Sequence, residues 1–170
     1  MPSYVVLLRA VNVGGTGKLP MSELKAMCVE LGFEHVRTYI ASGNVVFSAR
    51  EGEAAIKAAL EKRLAVYAGK PVGVIVRTAK QMEMVLKSNP FPDVAPNRTV
   101  AIFLDDPPPK NAVDTVRGRV DEEVRVGKRE IYVSYGSGMG HSKLKIPAAA
   151  KGTARNLNTI AKLVKLAAEL

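Results

Sequence analysis

A single cysteine, Cys28, cannot close an internal disulfide, so nothing in the chain asks for an oxidising compartment, and a cytoplasmic protein is expected. Histidine is nearly as scarce. His35 and His141 are the only two, and neither has a carboxylate or thiol at metal-ligand spacing, so no metal site is assigned. The apolar run near the start, Tyr4 to Leu8, is far shorter than the roughly 20 residues that span a bilayer, and it lacks the small-residue cleavage site of a signal peptide. No membrane association is expected. Aromatic residues make up 5% of the chain. The strand candidates carry no stacking platform of the RNA-recognition kind, since the first is aliphatic after Tyr4 and the third offers only Phe47.

Against these absences stands an ordinary globular composition, 47% hydrophobic and 24% charged over 170 residues. The formal charge of +9 is the strongest compositional signal. A basic excess attracts phosphates, nucleic acid or anionic lipid over long range. The plainer reading is that the charge keeps the protein soluble.

The apolar run Tyr4 to Arg9 suits a central strand. Pro20 then opens a helix in which Met21, Leu24, Met27, Cys28 and Leu31 recur at helical spacing before Gly32. Val36, Thr38 and Ile40 alternate with Arg37 and Tyr39, Ser42-Gly43-Asn44 turns the chain, and Val45 to Phe47 returns. A second helix is expected from about Glu53 to Ala68, stopped by Gly69 and Pro71, and then a strand over Val72 to Arg77. The order β-α-β-β-α-β is that of a ferredoxin-like unit, in which each crossover lays its helix on one face of the sheet.

Thr78 and Gln81 form a capping-box pair that starts a bridging helix reaching about Lys87, and residues 89–98, with Pro90, Pro92 and Pro96, read as a linker. A second round follows: a strand at Val100 to Leu104, a short helix ending near Gly118, a hairpin of Val124 to Val126 with Glu130 to Tyr135, and a helix from about Ala154. Ser142 to Ile146 alternates and fits either a strand or the start of a short helix. The expected class is therefore α+β, two tandem ferredoxin-like subdomains at 1–77 and 99–170 joined by 78–98, the second lacking a secure fourth strand.

Leu8-Arg9-Ala10-Val11-Asn12-Val13-Gly14-Gly15, with Lys18 and Glu23-Leu24, resembles the signature of the bacterial domain-of-unknown-function family 1697. So do Tyr39 to Phe47, Asn89-Pro90-Phe91, Ser142-Lys143-Leu144 and Thr153 to Thr159. The resemblance runs in the same order over essentially the whole chain. It implies a tandem of ferredoxin-like subdomains and no established activity. Leu157 departs from it, standing where members usually carry tryptophan.

Residues 12–19 invite comparison with a phosphate-binding loop. Asn12 takes the place of the first glycine and Leu19 that of the metal-binding hydroxyl, which excludes an ordinary nucleotide hydrolase and leaves a bare anion nest or a plain connection. Gly136-Ser137-Gly138-Met139-Gly140 poses the same alternative, with Lys143 as counter-charge. Arg9, Lys18, Arg37 and Asn44 fall near strand ends that an assembled sheet brings into one cationic corner; the alternative is solvated termini with an asparagine in a turn. Arg155, Asn156 and Asn158, placed at the start of the last helix, are read either as caps that also contact an anion or as caps with interdomain hydrogen bonds.

Catalytic readings fare worse. Cys28 sits on an apolar stripe, and the neighbours Asp105 and Asp106 point opposite ways on an extended chain. No catalytic residue and no cofactor is assigned. The binding candidates are Arg9, Asn12, Lys18, Arg37, Asn44, Lys143, Arg155 and Asn156. They suit a non-catalytic module for a phosphorylated small molecule or nucleic acid. An enzyme acting on a small anionic metabolite between the two subdomains is the alternative, and a self-associating protein is a third reading, with the oligomeric state open.

Overall fold

The computed structural model describes residues 1–10, 18–136 and 138–170. The chain falls into two compact units, one formed by Met1–Glu83 with Lys162–Leu170 and the other by Met84–Ala161.

In the first unit, β1 (Ser3–Leu8), α1 (Met21–Glu30), β2 (Glu34–Thr38), β3 (Asn44–Ser48), α2 (Glu53–Ala68) and β4 (Val74–Thr78) follow in sequence. The four strands form one antiparallel sheet in the order β2-β3-β1-β4. One core gathers Tyr4, Val6 and Leu8 from β1, Leu24, Met27 and Cys28 from α1, and Ile56, Leu60 and Leu64 from α2. Phe33 stacks on Phe47 there, with ring centroids 4.3 Å apart. Each such side chain contributes about 1.5–3 kcal/mol on burial. The other side of the sheet is buried as well, since Val5, Leu7, Val46 and Ile75 are all within 2% of full burial. Burial on both faces is why β1 reads as an unbroken apolar run.

His35, at φ 56°, is an extra residue in β2: Glu34 pairs with Ser48 but Arg37 with Val46. The bulge turns Val36 to the core and leaves Arg37 on the opposite face.

The second unit holds β5 (Thr99–Phe103), β6 (Glu123–Val126), β7 (Glu130–Ser134) and β8 (Thr153–Asn156), in the order β6-β7-β5-β8 and again antiparallel. Its core is smaller, with Val100, Leu104, Val124, Ile131 and Val133 from the sheet and Ala112 from a 3-10 turn, Ala112–Thr115. The half-buried Val116, Leu144 and Ile146, on irregular chain, complete it.

α3 (Ala79–Lys87) and α4 (Leu157–Ala168) follow β4 and β8. The capping box forms as expected. The Thr78 N–H donates to Gln81 Oε1 at 2.9 Å, and the Gln81 N–H to Thr78 Oγ1 at 3.1 Å. Asn156 caps α4 with a single bond, its Oδ1 accepting the Thr159 N–H at 2.9 Å.

Four expectations for the chain are corrected. The second unit has its fourth strand, β8, paired with β5, so the last helix begins at Leu157 and not near Ala154. The expected short helix before Gly118 is only a 3-10 turn. Ser142 to Ile146 is neither strand nor helix, and only Lys145 pairs there, with Arg117. The last strand of the first unit is Val74–Thr78, two residues later at its start than expected.

The two sheets also share rows of side chains. Arg37–Val46–Val5–Arg77 runs straight across the first sheet, and Arg125–Tyr132–Ala101–Arg155 across the second. Ser3–Ser48–Glu34 likewise matches Thr99–Ser134–Glu123. In the edge strands β4, β6 and β8 the arginine of the row folds back and donates through Nη1 to the preceding carbonyl: Arg77 to Val76 at 3.1 Å, Arg125 to Val124 at 3.0 Å and Arg155 to Ala154 at 2.9 Å. Arg77 and Arg155 are buried, whereas the exposed Arg125 guanidinium on β6 competes with an incoming strand, and in β2 the bulge disrupts the edge instead.

Candidate functional site

The expected cationic corner of the first unit does not assemble as one cluster. Arg37 shares a row with Val5, whereas Arg9 lies four residues further along the chain, just past the end of β1, on the order of 13 Å away and two strands across. Arg37 Nη1 is 2.8 Å from Glu169 Oε2, an exposed pair worth roughly 0–1 kcal/mol. The stem of Arg9 runs against Gly73, and the Arg9 N–H donates to the Gly73 carbonyl at 2.9 Å. Asn12 lies outside the described residues.

Asn44 is wholly buried, and its Nδ2 donates to the Tyr39 carbonyl at 2.8 Å and to Ser42 Oγ at 2.9 Å, which closes the β2–β3 turn. Asn44→Ala should lower stability by about 0.5–1.5 kcal/mol in urea unfolding, because the half-buried Tyr39 carbonyl loses its donor. An unchanged midpoint would show that the turn holds without this side chain.

Lys18 lines a cavity of about 320 Å³ with Lys70 and Tyr67, over Leu19, Leu64 and Val72. The cavity sits at the C-terminal end of α2, where Gly69 at φ 70° ends the helix. Free carbonyls give that end partial negative charge, so lysines there already have a favourable field and attract a further anion less strongly.

The second unit offers a different arrangement. Arg155 is 7% exposed and donates through Nη1 to Thr153 Oγ1 at 2.7 Å, a structural role. Burial pulls its pKa down to about 10, which leaves it charged at neutral pH. Lys143, by contrast, is exposed. Its segment runs beside that of Arg117, where the Arg117 N–H donates to the Lys145 carbonyl at 2.9 Å and the Lys145 N–H returns a bond of 2.8 Å. Leu144 and Ile146 turn inward onto the core, so Lys143 and Lys145 turn outward. Arg119 lies on the neighbouring segment, also exposed, with its Nε donating to the Glu122 carbonyl at 2.7 Å. Among the described residues, none of Arg117, Arg119, Lys143 and Lys145 is in an ion pair.

Glu122 ties this surface together. Its Oε1 accepts the N–H groups of Val120 at 2.8 Å and Asp121 at 3.0 Å, and its Oε2 accepts the Ser142 hydroxyl. The Ser142 bond, followed by the Val120 N–H, holds the carboxyl down at about 2, so it stays charged.

The reading of the sequence named Lys143 but missed Arg117, Arg119, Lys145 and Glu122. The available signal was the pair of alternating patterns Arg117-Gly118-Arg119 and Lys143-Leu144-Lys145, each a strand-like period with cations on one side. Burial pushes the Cys28 thiol up to about 12, and among the described residues there is no group of three or more His, Cys, Asp or Glu that could hold a metal ion. No helix of the described residues is long and apolar enough to cross a membrane.

These features define a mixed α+β protein with, among the described residues, two four-stranded antiparallel sheets and four α-helices. Residues 1–132 match the family described as protein of unknown function (DUF1697), and the chain belongs to that family. Among solved structures it is similar to the conserved bacterial protein SP0830 from Streptococcus pneumoniae, at 27% identity and a TM-score of 0.79, over 97% of this chain and 98% of that one. No curated protein matches the chain.

Proposed function

We propose that the protein is a non-catalytic module that binds a phosphate-bearing ligand on a basic surface, built on two tandem ferredoxin-like subdomains near 1–77 and 99–170. The architecture is supported by the strand orders β2-β3-β1-β4 and β6-β7-β5-β8 and by the matching arginine rows. In the second subdomain 3-10 turns and irregular chain stand in for the covering helices.

The observation that carries the functional reading is the set of exposed cations Arg117, Arg119, Lys143 and Lys145, which have no carboxylate partner among the described residues. Basic residues number thirteen in the first unit and twelve in the second, so charge alone does not mark the site; the bridge that sets Arg117 opposite Lys145, with Lys143 and Arg119 close by in the chain, brings these four together.

Thermal shift at low salt against inorganic phosphate, pyrophosphate, nucleotides and oligonucleotides tests the reading. A compound at about 100 times its dissociation constant should stabilise the fold by about 2.7 kcal/mol. That gain should be lost in the double variant Lys143→Gln, Lys145→Gln. Failure of every compound to shift the transition would remove the reading.

A further inference from the structure

We infer that the Arg117–Lys145 surface takes the phosphate backbone of a nucleic-acid duplex without reading its sequence; this rests on the phosphate-binding reading above. Arg117 and Lys145 exchange both backbone hydrogen bonds, which makes them directly opposed neighbours across an antiparallel bridge. Like charges so opposed destabilise the pair they sit on. Neither has a carboxylate partner among the described residues to offset this. An anion lying along the bridge turns the repulsion into attraction. Breaks in such local rules are concentrated at functional or strained sites.

The spacing favours a linear polyanion over a single phosphate. Residues two apart on extended chain, such as Lys143 and Lys145, stand about 6.6 Å apart. That is close to the advance along the helix axis over two phosphates of one strand of a duplex, at about 3.4 Å each. Arg119, also exposed, follows the bend at Gly118 on the facing segment. Recognition of a single strand usually adds aromatic rings on which bases stack. None stands in 117–119 or 143–146, so stacking adds nothing here, and the denser charge of a duplex gains more from the same four cations. The cations are exposed and the contacts proposed are to phosphates, which position a duplex and carry no sequence information.

Fluorescence anisotropy with short DNA and RNA duplexes of two unrelated sequences, between about 50 and 200 mM salt, tests the inference. Four phosphate contacts predict a slope of log K against log salt of about −3.6, the same for both sequences. Lys145→Gln should reduce the slope by about 0.9, and so should Lys143→Gln, whose side chain is exposed and can be changed without loss of fold. Binding of pyrophosphate or mononucleotides as tight as that of duplexes, and lost in the same variants, would overturn the duplex assignment and leave the module reading standing. Preference for phosphatidylserine vesicles over duplexes would overturn it too, as would duplex binding indifferent to both variants. No binding of any of these at low salt would remove the inference and the reading together.

Discussion

Gly118→Ala is expected to lower stability by about 3 kcal/mol or more and to abolish ligand binding at the Arg117–Lys145 surface. Two penalties fall on the same atom. At φ 70° an alanine costs roughly 1–2 kcal/mol from its own backbone sterics. A Cβ at this position also stands 2.2 Å from the Lys143 carbonyl oxygen and 2.9 Å from its carbon. Both are backbone atoms, so no side-chain rotation relieves the clash. The segment carrying Lys143, Leu144 and Lys145 has to move outward, which breaks the two bridge hydrogen bonds and withdraws Leu144 from the core. The bonds alone contribute about 0.5–1.5 kcal/mol each.

Gly69 supplies the control. It has the same φ of 70° with nothing within 4 Å of its Cβ position, so Gly69→Ala should cost only the backbone part. Urea unfolding of the two variants separates the effects. Equal losses would show that the close approach at Gly118 carries no energy of its own.

The contrast between the two glycines also shows what a sequence conveys and what it withholds. Gly69 follows an apolar helical stripe and precedes Pro71, so local pattern suffices to read it as a helix end, and α2 was legible to the residue. The capping box at Thr78 and Gln81 was legible for the same reason, since both partners lie within one turn. Gly118 is constrained by Lys143, twenty-five residues away, and nothing near it in the chain reports that.

β8 was hidden by its polarity. Its buried positions are Thr153 and Arg155, so the alternation that reveals a strand is written in polar residues. The correspondence between the halves was hidden by the bulge at His35, which puts the Arg37 row out of step with the Arg125 row by one residue. The candidate site followed the same rule. Lys143 stood out beside a glycine run, whereas Arg117 gains significance only once Lys145 is opposite it.

Glu122→Gln should lower the melting temperature at neutral pH and flatten its dependence on pH. The carboxylate sits beneath a cationic surface, yet its acceptor capacity is taken up by Val120, Asp121 and Ser142, and Ser142 Oγ in turn accepts the Leu144 N–H at 3.2 Å. Its negative charge therefore fixes the chain from which Lys143 and Lys145 project. In the folded state the group titrates near 2, against an ordinary value of 4.5. A depressed pKa means that the unfolded chain binds the proton more readily. The stabilisation is therefore complete above the unfolded value and is lost as the pH falls from about 4.5 through about 2. The amide keeps an oxygen for the two N–H groups but has no charge to offer the Ser142 hydroxyl. Wild type and variant should thus differ most near pH 7 and converge toward pH 2, where the wild-type carboxyl is itself protonated. Ser142→Ala, which removes the largest cause of the depression, should raise the carboxyl pKa measured by NMR and shift the acid limb upward. Melting curves for wild type and Glu122→Gln that stay parallel from neutral to acid pH would mean that this carboxylate does not hold the segment in place, and that the cations above it are positioned by the apolar contacts of Leu144 and Ile146 alone.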